Sequence, residues 1–286
     1  MKVVVLSKKH FYITGSDQFL IDLLSEEAEV VVFRREESSS WKLFRKIRHE
    51  KPDLLIFFAT PPSFFHHILR FIMTPKIFVP MYDGFKPFKP LKEKLFRFFG
   101  LKALCFSSPM TEYHTKIGLK TLSVRYFPKP LRKDFRAPKG PYTFLFWQRS
   151  KENSLLLIRS VVGDENIHKV IYRSEFQEDA PFLERLDKWL SKEELQELLQ
   201  KVDFVIAPRR QEGIGMAFLE ALAVGTSVIA YDDYTMKDYI TPGLNGHLFK
   251  TDRITITPPN DLTAINEAFY KRWLEDRSKI KSFMGF

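Results

Sequence analysis

The chain returns again and again to short runs rich in Val, Ile, Leu and Phe, over residues 3–6, 30–33, 54–58, 76–79, 103–106 and 122–127, most of them apolar at consecutive positions. A strand with one wet face alternates apolar and polar side chains, whereas a strand covered by helices on both faces need not. Separated by helical stretches, these runs predict a doubly wound α/β unit with a parallel sheet. Proline clusters follow at Pro128-Lys129-Pro130 and Pro138-Lys139-Gly140-Pro141; proline stops helices and removes ladder donors, so a domain boundary is expected there. The pattern restarts with strands over 143–147, 169–172, 203–207 and 227–231, and helices over 153–162 and 191–201. The second helix opens with Ser191 and Glu194 at capping-box spacing. Two α/β halves are therefore expected, residues 1–137 and 138–286, with a ligand in a cleft between them, facing the carboxyl ends of the strands.

Composition narrows the partners. With 45 Lys plus Arg against 35 Asp plus Glu, the 286-residue chain carries a net charge of +10, which favours phosphates, anionic lipids or nucleic acid without choosing among them. Cys105 is the only cysteine, so neither an internal disulfide nor a cysteine-based zinc cluster can form, and an intracellular setting is expected. The opening apolar run is too short for a signal-peptide core, and no apolar stretch reaches the roughly 18 residues of a membrane span. The expectation is a soluble or peripheral protein.

The segment from 203 to 246 carries the chemistry. A strand ends near Ala207, a turn holds Glu212-Gly213-Ile214-Gly215, and a helix begins at Met216. Glycines admit a ligand close to the backbone, and the free amides and positive dipole end of a helix attract a diphosphate. Glu212 and Glu220 then bracket that diphosphate, since eight positions at helical rise span at most about 12 Å. One carboxylate can take hydroxyls at each end. A glycine turn before a helix also serves merely to pack helix on strand; the fuller pattern is more specific, with a second Glu on the apolar helix and then Ala223-Val224-Gly225-Thr226-Ser227-Val228-Ile229-Ala230.

That pattern resembles the donor-binding half of family 4 of the retaining glycosyltransferases, marked by Glu, seven residues, Glu. Glu212 and Glu220 match the pair, Gly213 and Gly215 its glycines, Leu219 to Thr226 the following helix and turn, and Asn245-Gly246 a later turn. The resemblance implies the GT-B fold, two Rossmann-like domains facing across a cleft, with the acceptor on the first and a nucleotide sugar on the second. It further implies that Glu212 contacts the donor sugar, that backbone around Gly213, Ile214, Gly215 and Met216 holds sugar and phosphate, and that Glu220 holds the ribose. Relatives clamp the diphosphate with an Arg and a Lys in the loop after the first strand of the second domain; Arg149 and Lys151 stand there, on a shorter loop, and Lys151 reads equally as an exposed basic residue. Where many relatives carry a His-Asp pair, this chain has Tyr82-Asp83-Gly84, in which Asp83 either accepts from an acceptor hydroxyl or only shapes a turn. Gly15, in the loop after the first strand, either approaches the diphosphate or serves as a turn residue.

Asp-x-Asp is absent, and His66-His67 has no ligand constellation around it, so no metal or other cofactor is expected beyond the nucleotide sugar. Gly-x-Ser-x-Gly and Walker motifs are also missing. Residues 85–99 interleave Lys and Arg with Phe, and a helical wheel puts Leu91, Leu95, Phe98, Phe99 and Lys102 on one side, with Lys94 and Arg97 opposite. With residues 41–48 this is either a surface for anionic lipid headgroups at the inner face of a membrane or an ordinary helix whose apolar side is core. The expected function is metal-independent, retaining transfer of a sugar from a nucleoside diphosphate to a hydroxyl acceptor, a lipid-linked glycan suiting the basic surface. The competing expectations are a basic nucleic-acid-binding protein and a donor-binding transferase that has lost turnover.

Overall fold

In the computed structural model, which describes residues 1–34, 39–59, 74–131, 135, 138–176, 178–188 and 190–286, the first five runs become β1 (Lys2–Ser7), β2 (Glu29–Arg34), β3 (Leu54–Phe58), β4 (Lys76–Val79) and β5 (Lys102–Cys105). The strand expected over 122–127 is instead β6 (Lys120–Ser123), an edge strand exposed at both ends that shares only 122–123 with the expectation. All pair in parallel, in the order β2-β1-β3-β4-β5-β6. The register sets Val4 between Val31 and Leu55. β3 and β4 are buried along their whole length, the condition under which unbroken apolar runs form strands. Helices Ser40–Glu50, Pro90–Phe98 and Ser108–Lys116 contribute Leu43, Phe44, Ile47, Phe96 and Met110 to one core cluster with Leu55, Phe57 and Phe78, so all three lie on the same face of this sheet.

Phe96 is fully buried on the helix Pro90–Phe98, while Leu91 and Phe98 stay 70% and 69% exposed. An ordinary helix with its Leu91–Phe98 side in the core is therefore not what forms. Lys102, assigned by the wheel to that side, is the first residue of β5.

The second half forms β7 (Tyr142–Gln148), β8 (Ile167–Ser174), β9 (Leu183–Arg185), β10 (Phe204–Ile206), β11 (Ser227–Tyr231) and β12 (Gly246–Phe249), all parallel, in the order β12-β11-β10-β7-β8-β9. Two of these strands have no apolar run to announce them. β9 is three residues with two exposed, and β12 begins with Gly246, where a Cβ would sit 2.0 Å from the Val228 carbonyl oxygen. The helix Lys192–Lys201 opens with the expected capping box, Ser191 and Glu194 each taking the other's backbone N–H.

Two compact units result, Met1–Arg125 together with Trp273–Phe286, and Tyr126–Arg272. This differs from a single cut at 137/138. Prolines end a strand without deciding which core the flanking residues join: Phe127 is buried against Phe269, Tyr239 donates to the Tyr126 carbonyl at 2.9 Å, and the Leu131 amide donates to the Ala223 carbonyl at 2.8 Å. At the other end, the indole of Trp273 packs edge-on against Phe19 and the Asp276 carboxylate accepts from the Arg125 amide at 2.9 Å.

Candidate active site at the carboxyl edge of the second sheet

From β7 the chain steps outward to β8 and β9, then returns to lay β10 on the other side of β7. The loops leaving β7 and β10 therefore part at a switch point, where open α/β sheets bind ligands beyond the strand ends. Residues 149–154 and 207–215 are those loops, and they bring Arg149 and Lys151 to the same edge as Glu212, Gly213, Ile214 and Gly215. Two hydrogen bonds tie them together. Asn153 Nδ2 donates to the Ala207 carbonyl at 3.4 Å, and Arg210 Nη2 donates to the Glu152 carbonyl at 3.0 Å.

The loop after β10 is shaped by its glycine. Gly215 has φ 87°, and a Cβ there would come within 2.0 Å of the Phe218 ring; a left-handed residue with no side chain is required. The helix Met216–Ala223 then starts without a side-chain cap. The Gly215 carbonyl accepts from the amides of Phe218 and Leu219 at 3.1 and 3.0 Å, so the amides of Met216 and Ala217 precede the first helical bond and are available for an anion. Ile214 is buried, and the Glu212 carbonyl accepts from Thr235 Oγ1 at 2.6 Å, which anchors the half-buried Glu212 on its backbone side.

Phe218, Leu219, Ala221, Leu222 and Ala223 are buried in this helix, leaving Met216, Ala217 and Glu220 as its partly accessible stripe. Positions 216 and 220 share a face one turn apart. Burial lifts the Glu220 carboxyl from its ordinary 4.5 to about 7, against the opposing pull of the Lys192 ammonium. No protein hydrogen bond or ion pair engages that carboxyl among the described residues. A desolvated carboxylate without donors is costly and is suited to accept from ligand hydroxyls.

The cationic side of the edge has a member that spacing alone did not single out. Arg149 is half-buried with its guanidinium 4.8 Å from the Trp147 ring centroid, and Lys151 is exposed. Arg210 lies over Tyr231, at the end of β11, with 4.9 Å to the ring centroid. It thus touches the ends of three adjacent strands: its own loop after β10, Glu152 after β7, and Tyr231. Its buried Nε has no hydrogen-bond partner, nor do Ser150 Oγ and Asn153 Oδ1 on the facing loop. Unmet buried polar atoms cost about 1–3 kcal/mol each, and three on one pair of loops mark a place for a polar ligand. The available signal was the basic pair Arg209-Arg210 between β10 and Glu212; Asn153 had none, because only the fold carries it to Ala207.

Gly15 and Asp83 belong to the other unit. Gly15 ends the short helix Lys9–Thr14 at φ 63°, donating to the Phe11 carbonyl. Asp83 and Gly84 form a turn in which the Tyr82 carbonyl accepts from Phe85 N at 3.1 Å with Gly84 at φ 71°; Tyr82 packs against the core. Both segments have local structural reasons for their residues. No group of three or more His, Cys, Asp or Glu among the described residues could hold a metal ion, and His66 and His67 lie outside those residues.

Residues 183–275, from β9 through β12 and including Glu212 to Glu220, match the model of the family described as glycosyl transferases group 1. No curated protein matches the chain. Among solved structures, Anabaena HepE in complex with UDP is similar at 13% identity and TM-score 0.61, over 99% of this chain and 95% of that one. A glycosyltransferase from Rickettsia africae is similar at 11% identity and TM-score 0.60, over 96% and 92%. The sucrose-phosphate synthase of Thermosynechococcus elongatus gives 11% and 0.59, over 97% and 90%. At these identities the likeness shows the fold: two Rossmann-like units with parallel six-stranded sheets, as in GT-B glycosyltransferases.

Proposed function

We propose that this protein is a retaining, metal-independent glycosyltransferase that moves a sugar from a nucleoside diphosphate to a hydroxyl acceptor. The observation that carries the proposal is the loop-and-helix edge of the second sheet, where open helix amides, two guanidinium groups and a desolvated carboxyl with no protein partner occupy the switch point. The match to glycosyl transferases group 1 over that segment supports it, as do the similar HepE structures, which hold UDP, UDP with glucose, and UDP-glucose.

In this reading the amides of Met216 and Ala217 and the guanidinium groups of Arg149 and Arg210 hold the diphosphate, with Lys151 adding long-range charge. Glu220 accepts from ribose hydroxyls and Glu212 from the donor sugar, while Gly213, Ile214 and Gly215 keep side chains out of the ligand's path. The bond from the anomeric carbon to the phosphate oxygen breaks, an acceptor oxygen bonds to that carbon on the same face, and the acceptor proton passes to the departing phosphate oxygen. Charge growing on the diphosphate is what the cations and amides stabilise. No protein nucleophile is required.

A melting screen of the purified protein against UDP-, GDP- and ADP-sugars tests it, since a ligand that binds only the folded state raises the melting temperature. Stabilisation by one nucleotide family, weakened in Glu220→Ala, is expected. If none of the three stabilises the protein at millimolar concentration, the proposal fails.

A further inference from the structure

We infer that the outer surface of the helices Ser40–Glu50 and Pro90–Phe98 docks on a bilayer carrying anionic headgroups. The observation is an inverted amphipathic helix. On Pro90–Phe98 the core takes Phe96, with Lys92 lying over the Phe88 and Phe96 rings at 4.9 and 5.3 Å, and the outward side carries Leu91 and Phe98, 70% and 69% exposed. Positions 91, 94 and 98 follow one helical stripe, so Lys94 stands between the two apolar side chains. Lys86, Lys89 and Arg97 are exposed around them. Glu93, the acidic residue of this helix, is held by the Tyr113 hydroxyl at 2.7 Å.

The helix Ser40–Glu50 adds to the same surface. Leu43, Phe44 and Ile47 enter the core cluster that Phe96 enters, so the two helices cover one face of the sheet and turn their outer sides the same way. Trp41 is 58% exposed, stacked on Phe44. Beside it Trp41, Lys42, Arg45, Lys46 and His49 line a shallow cavity of ≈ 790 Å³. None of Lys42, Arg45, Lys46, Lys86, Lys89, Lys94 or Arg97 forms an ion pair with a described residue.

Exposed Trp, Leu and Phe set among uncompensated cations fit an interface whose headgroups are negative and whose next layer is apolar. No described helix is long and apolar enough to cross a membrane, so the contact is made at the surface. This inference is independent of sugar transfer.

Vesicle flotation tests it, using phosphatidylcholine alone and phosphatidylcholine with phosphatidylglycerol in equal parts. The protein should float with the mixed vesicles and not with the neutral ones. Neutralising Lys89, Lys94 and Arg97 together (to Gln) should weaken partitioning by about a hundred-fold, and the pair Leu91→Ser with Phe98→Ser by at least about ten-fold. All five side chains are exposed, so both variants should keep the wild-type melting curve and nucleotide response, which separates loss of docking from loss of fold or donor site. Equal partitioning on both vesicle types, or variants that float like wild type, overturns the inference. So does a single-stranded oligonucleotide that binds the protein and releases it from the vesicles at matched phosphate concentration.

Discussion

Arg210 Nη2 donates to the Glu152 carbonyl at 3.0 Å, joining the loop after β10 to the loop after β7 across the switch point of the second sheet. The bond fixes a cation at the carboxyl edge of the sheet, the edge from which the uncapped helix at Met216 also starts, while leaving Nε unpaired. Charge-assisted hydrogen bonds to phosphate contribute about 1.5–3 kcal/mol. Arg210→Ala should therefore raise the Kd for a nucleoside diphosphate about ten- to a hundred-fold and leave that for the bare nucleoside unchanged, as read by calorimetry. Lys151→Ala, at an exposed position, should change either by less than about three-fold. If Arg210→Ala binds the diphosphate like wild type, the guanidinium does not face it.

Glu220 sets a pH dependence on the same site. Its carboxyl titrates at about 7 because burial disfavours the charged form. Ribose hydroxyls bind best to the ionised form, so nucleotide affinity should rise as pH rises through about 7, with proton release on binding that varies the calorimetric heat with buffer ionisation enthalpy. Stability runs the other way. The folded-state value lies above the ordinary 4.5, so the unfolded chain gives up its proton first and the folded state loses stability between about pH 4.5 and 7. The loss is at most about 3 kcal/mol. Glu220→Gln should remove both dependences, giving a protein more stable than wild type above about pH 8 and flat in nucleotide affinity. A Gln variant that keeps the wild-type pH profile would assign the titration to another group.

His114 makes the opposite prediction. The ring is fully buried among Phe78, Phe85, Phe88 and Tyr113; one ring nitrogen, Nδ1, meets the Met110 carbonyl at 2.7 Å and Nε2 has no partner. Burial lowers its pKa below the ordinary 6.5, with the Met110 bond opposing. The unfolded chain then binds a proton that the folded state refuses, so stability is lost as pH falls below about 6.5. Because protonation of Glu220 adds stability over the same window, the comparison is made in the Glu220→Gln background, where urea midpoints should fall from neutral to mildly acid pH and His114→Phe should reduce that fall. Parallel profiles for the two proteins would remove His114 as the source.

Strands buried on both faces, such as β3 and β4, were legible because two-sided burial writes itself as an unbroken apolar run, and Ser191 with Glu194 because a capping box is a local bond pattern. β9 and β12 were not, since the first is short and mostly exposed and the second tolerates Gly246 and His247 against a neighbouring strand. The same division holds at the site. Glu212, Gly215 and Glu220 lie within one strand-turn-helix and could be read from spacing. Arg210 and Asn153 owe their positions to the pairing of β7 with β10, residues separated by some sixty positions in the chain, and no local pattern reports that. The side to which Leu91 and Phe98 turn was likewise undetermined, because a wheel shows which residues share a stripe and not which stripe meets the sheet.

Gly215 and Gly15 look alike in sequence, each in a loop after a strand, and differ in what surrounds them. Both have positive φ, 87° and 63°, which costs an L residue about 1–2 kcal/mol. A Cβ at Gly15 meets nothing within 4 Å, whereas at Gly215 it meets the Phe218 ring at 2.0, 2.4 and 2.8 Å. Phe218 is itself fully buried and packs edge-on against Tyr239 at 5.9 Å, so the ring cannot yield without opening the core beneath the helix. Gly15→Ala should lower stability to urea by about 1–2 kcal/mol, the strain alone. Gly215→Ala should lose at least about 3 kcal/mol and, by displacing the Met216 and Ala217 amides, weaken nucleoside diphosphate binding more than its melting shift explains. Equal effects of the two substitutions would show that the loop after β10 can move away from Phe218, and that its amides are not held in place by this packing.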